Sequence, residues 1–182
     1  MLPDGIEIRA AAAGLSLPSP GRLVGHAAVF NSSADMGEFV ETVKPGAFAR
    51  SLKSPDGIFA LYDHERRSVL GRVGAGTLKL AEDAKGLAFD LQLPDTGAGR
   101  DLAVLVQRGD VSGCSFAFKV HAQGDKWEQR SGRLHRDLLS VDLKEITITP
   151  QPAYANTSVA KRSMPRSIAA LSLRALWLET VR

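Results

Sequence analysis

Short alternating runs of apolar residues, each closed by glycine, proline or a polar turn, recur from the N-terminus to Pro150. Punctuation of this kind specifies strands, whose side chains point alternately to two faces, and leaves little chain for helices. Ile6 and Ile8 alternate with Glu7 and Arg9, and after a turn from Pro18 to Gly21 comes the run Leu23 to Phe30. Further strands are expected at Ile58 to Tyr62, Thr77 to Leu80, Leu87 to Leu93 and Ser112 to Val120. The last and longest, Leu138 to Thr149, is halted by Pro150 and Pro152. Residues 31–38 read as loop, Asp83 to Gly86 as a turn, Gly71 to Gly76 as a turn or bulge, and Gln123 to Gly132 as a polar hairpin-like stretch. Two short helices are expected. One runs from Pro45 to Leu52 with proline in its first turn; the other holds Leu102, Leu105 and Val106 at helical spacing, capped by Thr96 and ended by Gly109. The pattern predicts a mainly β fold with flanking helices (α+β), a barrel or sandwich and not a parallel α/β sheet.

Composition narrows the class. The 182 residues suffice for one sizeable core, and 44% hydrophobic with 24% charged residues is ordinary for a globular chain. Only 6% are aromatic, which argues against a stacking platform for single-stranded nucleic acid. The net charge of +3 is small, and much of it lies near the C-terminus, where Lys161, Arg162, Arg166, Arg174 and Arg182 face only Glu179. Such a tail suits an acidic partner, not specific nucleic-acid reading. Cys114 is the single cysteine, which excludes an internal disulfide framework and a cysteine-rich zinc site. The histidines lack metal-ligand spacing, and no cofactor motif is present. With no long apolar run and no signal-like start, the chain is expected to be soluble and cytoplasmic. Composition shifts after Ala160, so residues 1–160 are read as one domain and 161–182 as a basic linker followed by a helix from Ser167 to Val181.

Three patches carry candidate chemistry: Asp63-His64-Glu65, Gly113 to Phe118, and Glu145 to Pro150. In a strand, Cys114, Phe116 and Phe118 share one face, suited to a core, while Gly113, Ser115 and Ala117 form a floor of small residues with one hydroxyl. An extended peptide could approach that floor closely. Ser115 needs a base to become nucleophilic, and His64, closing an apolar strand between two carboxylates, leads His26, His121 and His135 for that role. A third group must orient the imidazole. Glu145 alternates with Val141 and Leu143 and is drawn toward a buried face, where a carboxylate needs a partner. Asp142 shares its face with Lys144, a simple ion pair, and stays an alternative; Asp63 is awkwardly adjacent to His64. Cys114, on the phenylalanine face, is expected to be inert.

With these residues assembled, the chain resembles the prohead protease family of tailed phages, the HK97-type caudoviral serine proteases, from about Ile6 to Ala160. The landmarks are Val43-Lys44-Pro45-Gly46-Ala47-Phe48 with Ser51-Leu52, His64 followed by Leu70-Gly71-Arg72, and Gly86-Leu87. Gly113 to Phe118 follows, then Leu143-Lys144-Glu145-Ile146-Thr147 leading to Pro152-Ala153-Tyr154. The resemblance implies a fold related to the herpesvirus assembly proteases, a mainly antiparallel β-barrel flanked by helices. It implies a serine endopeptidase that acts inside the immature capsid in the bacterial cytoplasm. There it would remove scaffold, or the scaffolding segment of the major capsid protein, and cleave itself. It places the nucleophile on Ser115 and the base on His64, needs no cofactor, and makes a dimer plausible. The third member is a histidine in the herpesvirus relatives; neither His121 nor His135 sits on the expected strand, so Glu145 is preferred. Two departures stand out. Residues 150–156 lack the arginine pair that helps form the herpesvirus oxyanion site, and Ala117 replaces a common glycine. An inactive protease-fold scaffold is the rival reading, and a nucleic-acid-binding capsid component a more distant one.

Overall fold

The computed structural model describes residues 5–12 and 14–150. The expected linker and helix after Ala160, and the landmark Pro152-Ala153-Tyr154, lie outside them. Thirteen strands are formed among the described residues: β1 (Glu7–Ala12), β2 (Ser16–Ser19), β3 (Arg22–Val29), β4 (Ser33–Asp35), β5 (Phe39–Val43), β6 (Phe59–Tyr62) and β7 (Glu65–Arg72). The chain continues with β8 (Leu78–Glu82), β9 (Gly86–Gln92), the helix α1 (Gly97–Arg108), β10 (Gly113–Val120), β11 (Asp125–Arg130), β12 (Arg133–Leu138) and β13 (Val141–Thr149).

The strands form three sheets, in the orders β1-β10-β13-β6-β7, β2-β3-β9-β8 and β11-β12-β5-β4. The mainly β expectation holds, but none of these sheets closes into a barrel. Nor is the pairing wholly antiparallel, because β13 runs parallel to β6 and β12 parallel to β5. Among the described residues α1 is the one α-helix, where flanking helices were expected. Its caps follow the sequence reading: Thr96 accepts from the Gly99 N–H, and Gly109 ends the helix at φ 83°. Gly99 also allows the helix to lie against Pro94, whose carbonyl oxygen would sit 2.1 Å from any Cβ there.

The expected helix from Pro45 to Leu52 is instead a series of turns ending in a 3-10 turn at Ser51–Lys53. Two causes are visible. Gly46 has φ 89°, which breaks helical propagation, and Ser51 is tied to the final strand. Its Oγ donates to the Val141 carbonyl and accepts from the Leu143 N–H, both at 2.8 Å.

The core is built as alternation demands. Cys114, Phe116 and Phe118 from β10 and Leu87 and Leu91 from β9 belong to one buried cluster, joined by Leu102 of α1. Phe48 meets Phe116 edge-on at 5.5 Å, and Phe116 stacks on Phe118 at 5.2 Å. Burying each such ring contributes roughly 1.5–3 kcal/mol.

Candidate active site

The candidate site lies on the opposite face of the first sheet, and strand register puts it there. In β10 and β13, Ser115 pairs with Thr147 and Ala117 with Glu145. Directly paired residues share a face, so Ser115, Ala117, Thr147 and Glu145 lie together. Leu61 and Phe59 of β6 continue the two rows beyond Thr147 and Glu145.

Glu145 reaches this face through an irregularity that simple alternation misses. The next pair after Ala117–Glu145 is Phe118–Leu143, which leaves Lys144 unpaired as a β-bulge. Val141 and Leu143 before the bulge, and Ile146 and Ile148 after it, all enter the core. Glu145 therefore does not share the buried face of Val141 and Leu143, as strict alternation predicted. The bulge turns it toward Ser115 and His64.

His64 is delivered by a tight hairpin. Asp63 and His64 link β6 to β7 at φ 48° and 58°, the backbone signs of a type I′ turn usually filled by Asn-Gly. Holding two non-glycine residues there costs about 1–2 kcal/mol each. The turn is anchored to β13: the Asp63 N–H donates to the Ile148 carbonyl, and Thr149 Oγ1 donates to Asp63 Oδ1, both at 3.0 Å. So Asp63 holds the turn and does not orient the imidazole.

His64 Nδ1 lies 3.0 Å from Glu145 Oε1, and Thr147 Oγ1 donates to the same oxygen at 3.4 Å. An ionised Glu145 only accepts, which puts the proton on Nδ1 and leaves the Nε2 lone pair free. Asp142 is elsewhere, 3.6 Å from Arg50 Nε, so its partner is Arg50 and not Lys144. Ser115 is wholly buried, which closes the floor that the sequence reading left open to an extended peptide. Among the described residues, the buried side-chain polar atoms without a hydrogen-bond partner are His64 Nε2 and Ser115 Oγ. Buried polar atoms are almost always paired, so these two orphans single out Ser115 and His64 among the buried polar side chains.

The other histidines are accounted for. His26 bonds Asp83 at 2.8 Å on an exposed hairpin, where hydrogen bonds from His26 and from the Gly86 and Lys85 N–H groups hold the Asp83 pKa down at about 2. His121 Nε2 accepts from Ser140 Oγ at 2.9 Å while Nδ1 bonds the Ala122 carbonyl, which staples two loops. His135 lies in β12, away from the first sheet. Burial pushes the Cys114 thiol up to about 12, so it is inert as a nucleophile near neutral pH. Among the described residues no three His, Cys, Asp or Glu side chains gather as metal ligands, and no helix is long and apolar enough to cross a membrane.

A cleft of about 360 Å³ opens beside Glu145. Ile6, Phe59, Leu61 and Val69 supply its apolar walls, and Arg66 and Lys144 stand in its lining.

The hold on the turn leads to a first prediction. Asp63→Gly, which relaxes the backbone but deletes the anchor to Thr149, is expected to lower kcat about 10- to 100-fold with little change in Tm. Asp63→Asn, which tolerates the same backbone and can still accept, is expected to keep most activity. Equal kinetics in the two variants would show that the anchor is unimportant.

Comparison with known proteins adds a fold and a family. The solved structure of the bacteriophage T4 capsid assembly protease matches with a TM-score of 0.52 at 8% identity, covering 81% of this chain and 98% of that one. At such low identity the likeness concerns the fold. No curated protein matches the chain. Residues 14–170 match the caudovirus prohead serine protease family, which is most of the sequence. The chain belongs to that family.

Proposed function

We propose that this chain is a capsid-maturation serine endopeptidase with Ser115 as nucleophile, His64 as base and Glu145 as the group that orients the imidazole. The observation that carries this reading is the pairing of unsatisfied atoms: Ser115 Oγ and His64 Nε2 are buried without partners, while Nδ1 is held by Glu145. His64 Nε2 takes the Ser115 proton as Oγ attacks a backbone carbonyl carbon of the substrate. The tetrahedral oxyanion is met by backbone N–H groups, and its collapse expels the amine, which receives the proton from His64. Water, deprotonated by the same nitrogen, then hydrolyses the acyl-enzyme. Because Ser115 has no exposed surface in this conformation, a substrate reaches it only after the site opens.

Family membership supports a role in prohead maturation. The substrates we infer are the scaffold or the scaffolding segment of the major capsid protein, within the immature capsid of a bacterial host. Self-cleavage belongs to the same reading, with residues 161–182 as a docking tail or a removable piece.

The test is co-expression with the major capsid protein of the same particle, comparing wild type with Ser115→Ala by intact mass. A capsid protein shortened only by wild type supports the reading. Full-length capsid protein with both, in particles that still assemble, would favour the inactive scaffold. Cleavage that survives Ser115→Ala would place the nucleophile elsewhere.

A further inference from the structure

The cleft beside Glu145 has a charge pattern that the catalytic reading does not use. Its floor is apolar, from Phe59, Leu61 and Val69, and Val69 is 45% exposed at the edge of the sheet. Its charged lining is Arg66, Lys144 and Glu145, and the carboxylate is already committed to His64. Among the described residues, Arg66 and Lys144 form no ion pair. A third cation stands close by, since the Arg72 guanidinium lies 5.2 Å from the centre of the Phe59 ring. The acids beside Gly57 and Arg66 in sequence, Asp56 and Glu65, do not line the cleft, and Arg72 donates to the carbonyl oxygen of Asp56, not to its carboxylate.

Lys144 is present because of the bulge. In a regular strand Lys144 and Glu145 would point to opposite faces, yet both line this cleft. One irregularity thus orients the imidazole partner and adds a free ammonium beside it. An apolar trough with two uncommitted cations, sharing Glu145 with the His64 contact, is complementary to a side chain with methylenes and a terminal negative charge.

We propose that this cleft is the subsite that selects a carboxylate-bearing side chain, Glu or Asp, at one fixed position beside the scissile bond; the inference rests on the protease reading above. Arg66 and Lys144 bind the carboxylate and position the segment, and neither takes part in bond cleavage.

The test uses the full chain with an equimolar mixture of synthetic decapeptides of randomised sequence, sequencing the new termini, alongside the co-expressed capsid protein. Wild type is expected to enrich Glu and Asp roughly tenfold at one position near the cut, the scale of one partly shielded ion pair. The doubly substituted Arg66→Glu, Lys144→Glu chain is expected to lose that enrichment and favour Lys and Arg there. Both side chains are exposed, so its Tm should match that of wild type. Cleavage by wild type without acidic enrichment, or an unchanged preference in the double variant, would overturn the subsite and leave the protease standing. No cleavage by wild type of either the mixture or the capsid protein would overturn both.

Discussion

Replacing Glu145 with Gln is expected to lower kcat by about 10⁴-fold while leaving the fold intact. The substitution keeps shape and volume but changes what faces the imidazole. A carboxylate can only accept, so it fixes the Nδ1–H tautomer and stabilises the imidazolium that forms as Ser115 loses its proton. A glutamine amide can turn its NH₂ toward Nδ1, which moves the ring proton to Nε2. That nitrogen then cannot accept from Ser115. His64→Ala removes the base outright and should fall at least as far. Asp142→Asn provides the contrast: its partner is a half-exposed Arg50 at 3.6 Å, so activity should stay within about twofold of wild type. The measurement is initial rate against substrate concentration, with thermal melts as a folding control. Should Asp142→Asn fall as far as Glu145→Gln, the assignment of the orienting carboxylate is wrong.

That pair of variants also separates what could be read in the sequence from what could not. Ser115 opposite a core face of Cys114, Phe116 and Phe118 was legible because β10 alternates without interruption on that face. The caps of α1 were legible for a similar reason, since Thr96 and Gly109 act locally. Glu145 does meet His64 Nδ1, but not by the simple alternation that singled it out. A bulge at Lys144 is decided by pairing with β10, and nothing in Val141 to Thr149 announces it. The hairpin at Asp63-His64 was hidden because its residues are not the usual Asn-Gly, and the ties to Ile148 and Thr149 come from a strand up to 86 residues away in sequence. Strands β4, β5, β7 and β12 escaped because they are short or carry charges among their apolar residues: Phe39, Leu70 and Leu138 enter the core, while ion pairs hold Asp35, Glu41 and Arg136. Leu138 to Thr149 read as one strand, whereas Leu139 and Ser140 interrupt it by donating to the Gly124 carbonyl.

The most consequential of those ion pairs is buried. Arg136 on β12, 2% exposed, donates to Glu7 of β1 at 2.7 Å and to Glu41 of β5 at 3.0 Å, while Arg9 donates to Glu41 at 2.5 Å. Asp125 takes the remaining Arg136 nitrogen, and the guanidinium stacks 5.2 Å from the Trp127 ring. This network ties the edge strand β1 to the third sheet, and β1 pairs through Ala10 with Ser115 itself. Arg136→Leu is expected to destabilise the fold by about 3–5 kcal/mol at neutral pH, because it leaves two buried carboxylates, Glu7 and Glu41, sharing Arg9 as their remaining cation. The effect should depend on pH in a defined direction. Burial opposes ionisation of Glu7, but hydrogen bonding and attraction from Arg136 and Arg9 outweigh it and hold its pKa below 4.5. A depressed folded-state pKa stabilises the protein above the unfolded value, and that contribution is lost as pH falls through the folded one. Wild type should therefore weaken below about pH 4.5, whereas the variant, with Glu7 easier to protonate, should not weaken in step. The gap between their denaturation midpoints is expected to narrow toward acid, and amides of β1 should exchange fastest in the variant at pH 7. A gap that is constant with pH would mean that Arg136 stabilises by packing alone, and that the strand carrying Ser115 is held in place by other contacts.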